Sequence, residues 1–239
     1  NMHRFKVDGY NLCRDTQCQV YKDPSNANLK IKRAIKKTSG KILTWNKKPI
    51  NTVYHATNGG VMASVDEAWS INQVPYLQMR LDGPKHWAGS VDLPLSNEKY
   101  LKSFLFSKSE AFGSDHPLFR WERTIESSQI SKQLKKAQKV GSSFYPHKIE
   151  VLRRGSSGRV TSLKIEGRTG SEILLKLDDI RRVLRELPST LFVVKEIKEG
   201  KWLFSGGGFG HGAGMSQSGA IELAKKGWTT KQILSHYYP

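Results

Sequence analysis

Apolar residues recur along this chain in short runs with two periods. From Leu29 the segments LKIKRAI, ILTW and TVYHA alternate or cluster over a few positions, separated by Ser39-Gly40 and Asn46-Lys47-Lys48-Pro49. This predicts short strands joined by turns. Between Ser96 and Ser107, Tyr100, Leu101, Phe104 and Leu105 fall at helical spacing, and Ile130, Leu134 and Ala137 predict a second helix from Glu126 to Lys139 with a basic outer face. KIEVLRR, GRVTSLKIEG and SEILLKL then predict a meander turned at Gly155-Ser-Ser-Gly158 and Arg168-Thr-Gly170-Ser. Asp178 or Asp179 is expected to cap a helix with Ile180, Val183, Leu184 and Leu187 on one face, which Pro188 stops before the strand TLFVVKEI. KWLFS leads into a glycine loop. After it, Ser216 caps a helix bearing Ile221, Leu223 and Ala224 that Gly227 ends, and Thr229 with Gln232 forms the capping box of a last helix.

Strands and helices in mixed order predict an α+β fold, with mixed short-strand sheets, packed helices and a helical C-terminus. No internal repeat or low-complexity linker divides it, so residues 1–239 read as one domain, or as two intimately packed lobes of about 1–95 plus the C-terminus and about 96–200. Residues 1–28 are polar, without periodicity, and read as a surface arm. With 239 residues, 37% apolar, the chain can bury a core, and no run approaches the roughly 20 apolar residues of a membrane span. A chain that opens on Asn1 and closes on Pro239 suggests a processed or trimmed protein.

Thirty-nine Lys and Arg against 21 Asp and Glu give a net charge of +18, which favours anionic polymers: nucleic acid, lipid surfaces or a bacterial wall. The charges read as dispersed, so they rank partners without naming one. The only cysteines, Cys13 and Cys18, suit a small local disulfide or free thiols; a zinc site would need two further ligands.

The candidate chemistry lies in two loops. In Gly206-Gly-Gly-Phe-Gly210-His211-Gly212-Ala-Gly214-Met-Ser216-Gln217, six glycines surround one histidine directly before a helix. Backbone N–H groups and the positive helix end there would meet a carboxylate or acetamido oxygen, with His211, Ser216 and Gln217 adding directional bonds. Gly208 to Ala213 formally fits G-x-G-x-x-A, but too little chain follows for a second strand carrying a ribose-binding acid, which excludes a dinucleotide site. The second loop, Tyr54-His55-Ala-Thr57-Asn-Gly59-Gly60, places a histidine at a strand end beside a hydroxyl; Trp69 and Tyr76 beyond it could stack on pyranose rings. The last two helices also fit a helix-turn-helix, but Ile233, Leu234, Tyr237 and Tyr238 look committed to a core, so nucleic acid is not the expected partner.

The run GFGHGAGMSQSGAIELAKKGWTTKQILSHYYP resembles the closing signature of the stage II sporulation protein D and amidase-enhancer family. The likeness extends over nearly the whole chain: the cysteine arm, Tyr54-His55 to Gly60, Asp66, Glu67, Trp69, Pro75-Tyr76-Leu77, the GSSGRV strand and the LPST turn. It implies an extracytoplasmic protein, secreted or membrane-anchored through a segment not in this chain, that acts on peptidoglycan glycan strands. Sporulation-type members cleave the glycan as lytic transglycosylases, leaving 1,6-anhydromuramic ends; others enhance cell-wall amidases. The family's catalytic glutamate lies upstream of the cysteine arm and matches no position here. His55 and His211 are therefore the assisting candidates, with Tyr54, Thr57, Gly59, Gly60, Trp69, Tyr76, Gly210, Gly212, Gly214, Ser216 and Gln217 as the expected binding set. Some relatives complete a zinc site with two histidines around the cysteines; Val7 and Gln17 stand at those positions, so the resemblance implies a Cys13–Cys18 disulfide and no metal or other cofactor.

Overall fold

The computed structural model describes Val7, Gly9, residues 23–141 and residues 143–239. The chain divides into two compact units, Asn1–Ile50 and Asn51–Pro239.

In the first unit, Asn28 accepts a hydrogen bond from the Ile31 N–H (3.0 Å) and opens a helix, α1 (Leu29–Thr38), where strands were expected. The alternation Leu-Lys-Ile-Lys lasts only four residues. Ile31, Ala34, Ile35 and Thr38 repeat at helical spacing instead, and that longer period wins once the cap starts the turn. Lys30, Lys32, Arg33, Lys36 and Lys37 occupy the other face, so basic charge is concentrated here rather than dispersed: eight Lys or Arg and no acid lie between Lys30 and Lys48. A two-residue hairpin follows, β1 (Thr44–Trp45) against β2 (Lys48–Pro49). Its corner residues Asn46 and Lys47 both have positive φ, the geometry of a type I′ turn.

The second unit begins with short strands, β3 (Tyr54–His55), β4 (Val61–Met62) and β5 (Arg80–Leu81), and a 3₁₀ turn at Val65–Glu67. Helices α2 (Lys85–Ala88) and α3 (Glu98–Phe106) pack Trp87, Leu101, Phe104 and Leu105 against Val61, Phe119 and Leu191. Next come β6 (Arg120–Glu126), α4 (Ser127–Lys136), the meander β7 (Pro146–Arg154), β8 (Val160–Gly167) and β9 (Glu172–Lys176), and α5 (Asp179–Val183). Strands β10 (Phe192–Lys198) and β11 (Lys201–Gly207) complete an antiparallel sheet in the order β10-β11-β6. The chain closes with β12 (Met215–Ser216), α6 (Gln217–Lys225) and α7 (Thr230–Tyr237).

The α+β class is borne out, as are both scaffold helices, the meander and the two C-terminal caps: Ser216 accepts from the Gly219 N–H, and Thr229 with Gln232 forms a reciprocal box. Asp178 heads α5 without making a cap bond; its carboxylate instead holds Arg181 and Arg182. The main core lies where α4 and α5 pack on the two three-stranded sheets through Trp121, Ile125, Ile130, Leu163, Ile180, Phe192 and Phe204. Each such side chain, once buried, contributes roughly 1.5–3 kcal/mol. This core fixes β11, whose register against β6 pairs Gly206 with Trp121 and Gly207 with Arg120, and β11 delivers the glycine loop. The Trp121 indole N–H donates to Gly208 O (2.9 Å), tying the start of that loop to the sheet.

Candidate functional site

The two candidate loops form one site. Parallel pairing sets Tyr54 against Met215 and His55 against Ser216. Thr57 and Phe209 exchange backbone bonds (3.3 and 2.7 Å), and the Ala63 N–H donates to Gly212 O (2.9 Å). Segments some 150 residues apart in sequence are thereby stitched edge to edge, with Gly208, Gly210, Gly212 and Gly214 all at positive φ.

Three rings meet at the junction. Trp69 lies 4.6 Å from His211, and His211 meets His55 nearly edge-on at 5.2 Å, centroid to centroid. The bonds around each imidazole fix its tautomer. His211 Nδ1 accepts from the Ala213 N–H (3.2 Å), so the proton is on Nε2, which donates to Tyr54 O (3.0 Å). His55 Nδ1 donates to Ala213 O (3.1 Å), leaving on Nε2 a lone pair that is buried and has no partner among the described residues. Both rings are held neutral. For His55, burial leads, followed by the charges of His211 and Arg159, and its pKa falls well below the usual imidazole value. For His211, burial again leads and Arg181 and Arg159 assist, outweighing Asp178 and the bond to Tyr54, and the pKa drops to about 4.

This has a measurable consequence. The unfolded chain binds histidine protons near pH 6.5, whereas folded His211 does so only near 4, so the unfolded state carries more protons between those values. The stabilising contribution is complete above about pH 6.5 and is lost as pH falls towards 4. Denaturant midpoints across that range should decline with acid, and His211→Gln should flatten the decline; an unchanged slope would remove His211 as its source.

A charged network underlies the rings. Arg159 is fully buried and donates to Val61 O (3.1 Å), Asn58 O (3.0 Å) and Ser157 Oγ (3.1 Å). Burial brings its pKa down to about 10, opposed by Glu67, so it remains a cation. Glu67 is buried as well and accepts from Ser156 Oγ (3.0 Å), the Ser157 N–H (3.1 Å) and Ser157 Oγ. The Gly155–Gly158 turn is thus more than a meander turn: it seats the carboxylate that faces Arg159. Alongside, Asp82 is fully buried and accepts from Asn58 Nδ2 (2.6 Å), His236 Nε2 (2.7 Å) and Tyr237 OH (3.1 Å), tying the second loop to α7.

Among the expected binding residues, His55, His211 and Trp69 come together, with Gly210, Gly212 and Gly214 forming the backbone around them. Tyr54 is 41% exposed, and Phe209, which the sequence reading passed over, is 42% exposed at the loop tip. Thr57 is buried, and its hydroxyl lies 3.5 Å from the Gly59 N–H. Gly60 donates to Asn58 Oδ1 (2.8 Å), and Gly59 lies against the Gly207–Gly208 backbone. Ser216 is buried in its cap, while Gln217 is exposed and lines a separate cavity of about 440 Å³ with Ala56, Asp115 and His116. Tyr76 is half-buried on the loop before β5. Cys13 and Cys18, and with them the disulfide and zinc alternatives, lie outside the described residues. Among the described residues no group of three His, Cys, Asp or Glu is placed to hold a metal ion, and no helix is long and apolar enough to cross a membrane. Arg159, Ser157 and Asp82 went unnamed at the sequence level; the arginine directly after a Gly-Ser-Ser-Gly turn was the available signal.

Residues 63–214 match the family described as "Domain of unknown function (DUF8618)", and residues 1–45 match "Stage II sporulation protein". The chain is 31% identical to an amidase enhancer from Bacillus subtilis (strain 168), over 94% of this chain and 34% of that protein. It is equally 31% identical to stage II sporulation protein D from Bacillus amyloliquefaciens and from Bacillus subtilis (strain 168), in each case over 95% of this chain and 58% of the relative. The resemblance drawn from the sequence is therefore borne out, and the chain spans between about a third and three fifths of these relatives.

Proposed function

The chain belongs to the DUF8618 family, and from that premise we propose that it is an extracytoplasmic cell-wall protein that holds peptidoglycan glycan strands on the surface around Trp69 and His211. The observation that carries this reading is the contact of the Trp69 ring with a neutral His211 of the glycine loop, 4.6 Å between centroids. An uncharged aromatic surface suits the apolar faces of pyranose rings. The net charge of +18 draws such a protein to an anionic wall.

Binding without cleavage is the form the residues around the rings favour. Cleavage to 1,6-anhydromuramic ends needs a carboxylic acid that protonates the glycosidic oxygen and then takes a proton from the muramic 6-hydroxyl. Glu67 is enclosed by three donors beside Arg159, Asp82 by three others, and Asp178 by two arginines. The protein is then a glycan-binding partner of a cell-wall amidase, in keeping with the relative named as an amidase enhancer. Transglycosylase-type cleavage is the second reading, favoured by the equal identity to stage II sporulation protein D; its acid would come from outside this cluster.

Glycan strands stripped of stem peptides should co-sediment with the protein, and Trp69→Ala should weaken that binding about 3- to 10-fold, the value of one aromatic stacking contact. Failure of the wild-type chain to bind would end the reading. Anhydromuramic products in the mass spectrum of the strands would replace it with the second.

A further inference from the structure

The two imidazoles are not equivalent. His211 uses both ring nitrogens on backbone groups, Nε2–H to Tyr54 O and Nδ1 from the Ala213 N–H. His55 spends only Nδ1–H, on Ala213 O. Its Nε2 is buried without a partner among the described residues, in a residue 5% exposed. A buried acceptor left unpaired is destabilising, and most buried polar groups in folded chains have a partner. The His211 ring meets the His55 ring edge-on at 5.2 Å and is itself 4.6 Å from Trp69, centroid to centroid.

We propose, on the reading that this patch holds glycan, that His55 Nε2 is the ligand-binding acceptor of the site, taking a hydrogen bond from a neutral donor of the sugar, a hydroxyl or acetamido N–H, and that His211 is the cover that turns aside to admit it. The chemistry of the corner selects that class. A neutral imidazole nitrogen with a bare lone pair repels the lone pairs of a carboxylate and accepts O–H or N–H. Burial, helped by His211 and by Arg159 beneath the glycine loop, keeps His55 from charging, so the acceptor persists at neutral pH. The Nδ1–H bond to Ala213 O, a residue of the glycine loop, locks the tautomer that presents Nε2. Turning His211 out breaks two hydrogen bonds to the backbone, which a bound sugar can replace.

Long-range proton–nitrogen NMR on the full chain with labelled histidine tests this directly. Without ligand, His55 should carry its proton on Nδ1 and His211 on Nε2. Titration with glycan strands freed of stem peptides should move the His55 Nε2 resonance and perturb the His211 Nε2–H. His55→Asn, whose shorter amide reaches the Nδ1 position but not that of Nε2, should bind those strands about tenfold more weakly, one lost hydrogen bond in a buried site. If that variant fails to fold, the wild-type titration still decides. Strands that bind while His55 Nε2 stays unmoved would overturn the assignment and leave the glycan reading standing, and so would a free protein with the proton on His55 Nε2. Strands that do not bind at all would overturn both.

Discussion

Arg159→Ala is expected to cost about 3–5 kcal/mol, enough to unfold much of a marginally stable chain, because it strands a carboxylate rather than merely deleting a contact. Arg159 and Glu67 are both withdrawn from water and joined through Ser157, whose hydroxyl donates to one and accepts from the other. Removing the guanidinium leaves Glu67 buried with three donors but no opposing charge, and frees Val61 O and Asn58 O as well. Urea unfolding should show the loss as a lower midpoint at unchanged slope. Glu67→Gln with Arg159→Ala should cost less than the two changes summed, since the second removes what the first exposed. Additive costs would show that Ser157 insulates the two charges from each other.

That network also marks what the chain's pattern could and could not disclose. Helices α3 and α4, the meander and both C-terminal caps were legible because their signals are local: apolar spacing over three turns, or a hydroxyl three residues before its amide. Helix α1 was misread because four alternating residues imitate a strand, and β6 went unread. In β6 only Trp121 and Ile125 are buried, with Arg123 between them, before the segment runs straight into the cap of α4 at Glu126. The site is a different case. Its two loops could each be suspected from glycine and histidine, but nothing local says that Thr57 pairs with Phe209 or that Arg159 lies beneath Gly212. Those contacts follow from β11 being held between β6 and β10, a tertiary decision made in the main core by Trp121, Phe192 and Phe204. The unequal roles of His55 and His211 are likewise invisible until Ala213 is seen to accept from one ring with its carbonyl and donate to the other with its N–H.

Gly212→Ala should disrupt the site from the backbone side, by about 2–5 kcal/mol. Gly212 has φ of +81°, where an L side chain costs about 1–2 kcal/mol. A Cβ there would fall 2.2 Å from Arg159 Nη2 and 2.4 Å from Nε. The guanidinium cannot step aside without breaking its bonds to Val61 O, Asn58 O and Ser157 Oγ, so overpacking adds about 1–3 kcal/mol. Gly227→Ala separates the two effects: its φ is +86°, yet nothing lies within 4 Å of the added carbon, so it should show the conformational cost alone. If the two variants lose equal stability, the approach of Arg159 to the loop is looser than its bonds imply. If Gly212→Ala loses more, and combining it with Arg159→Ala costs less than the sum, then the arginine is the surface on which the glycine loop rests. The loop's glycine at this position is then required by the buried cation beneath it as much as by the turn.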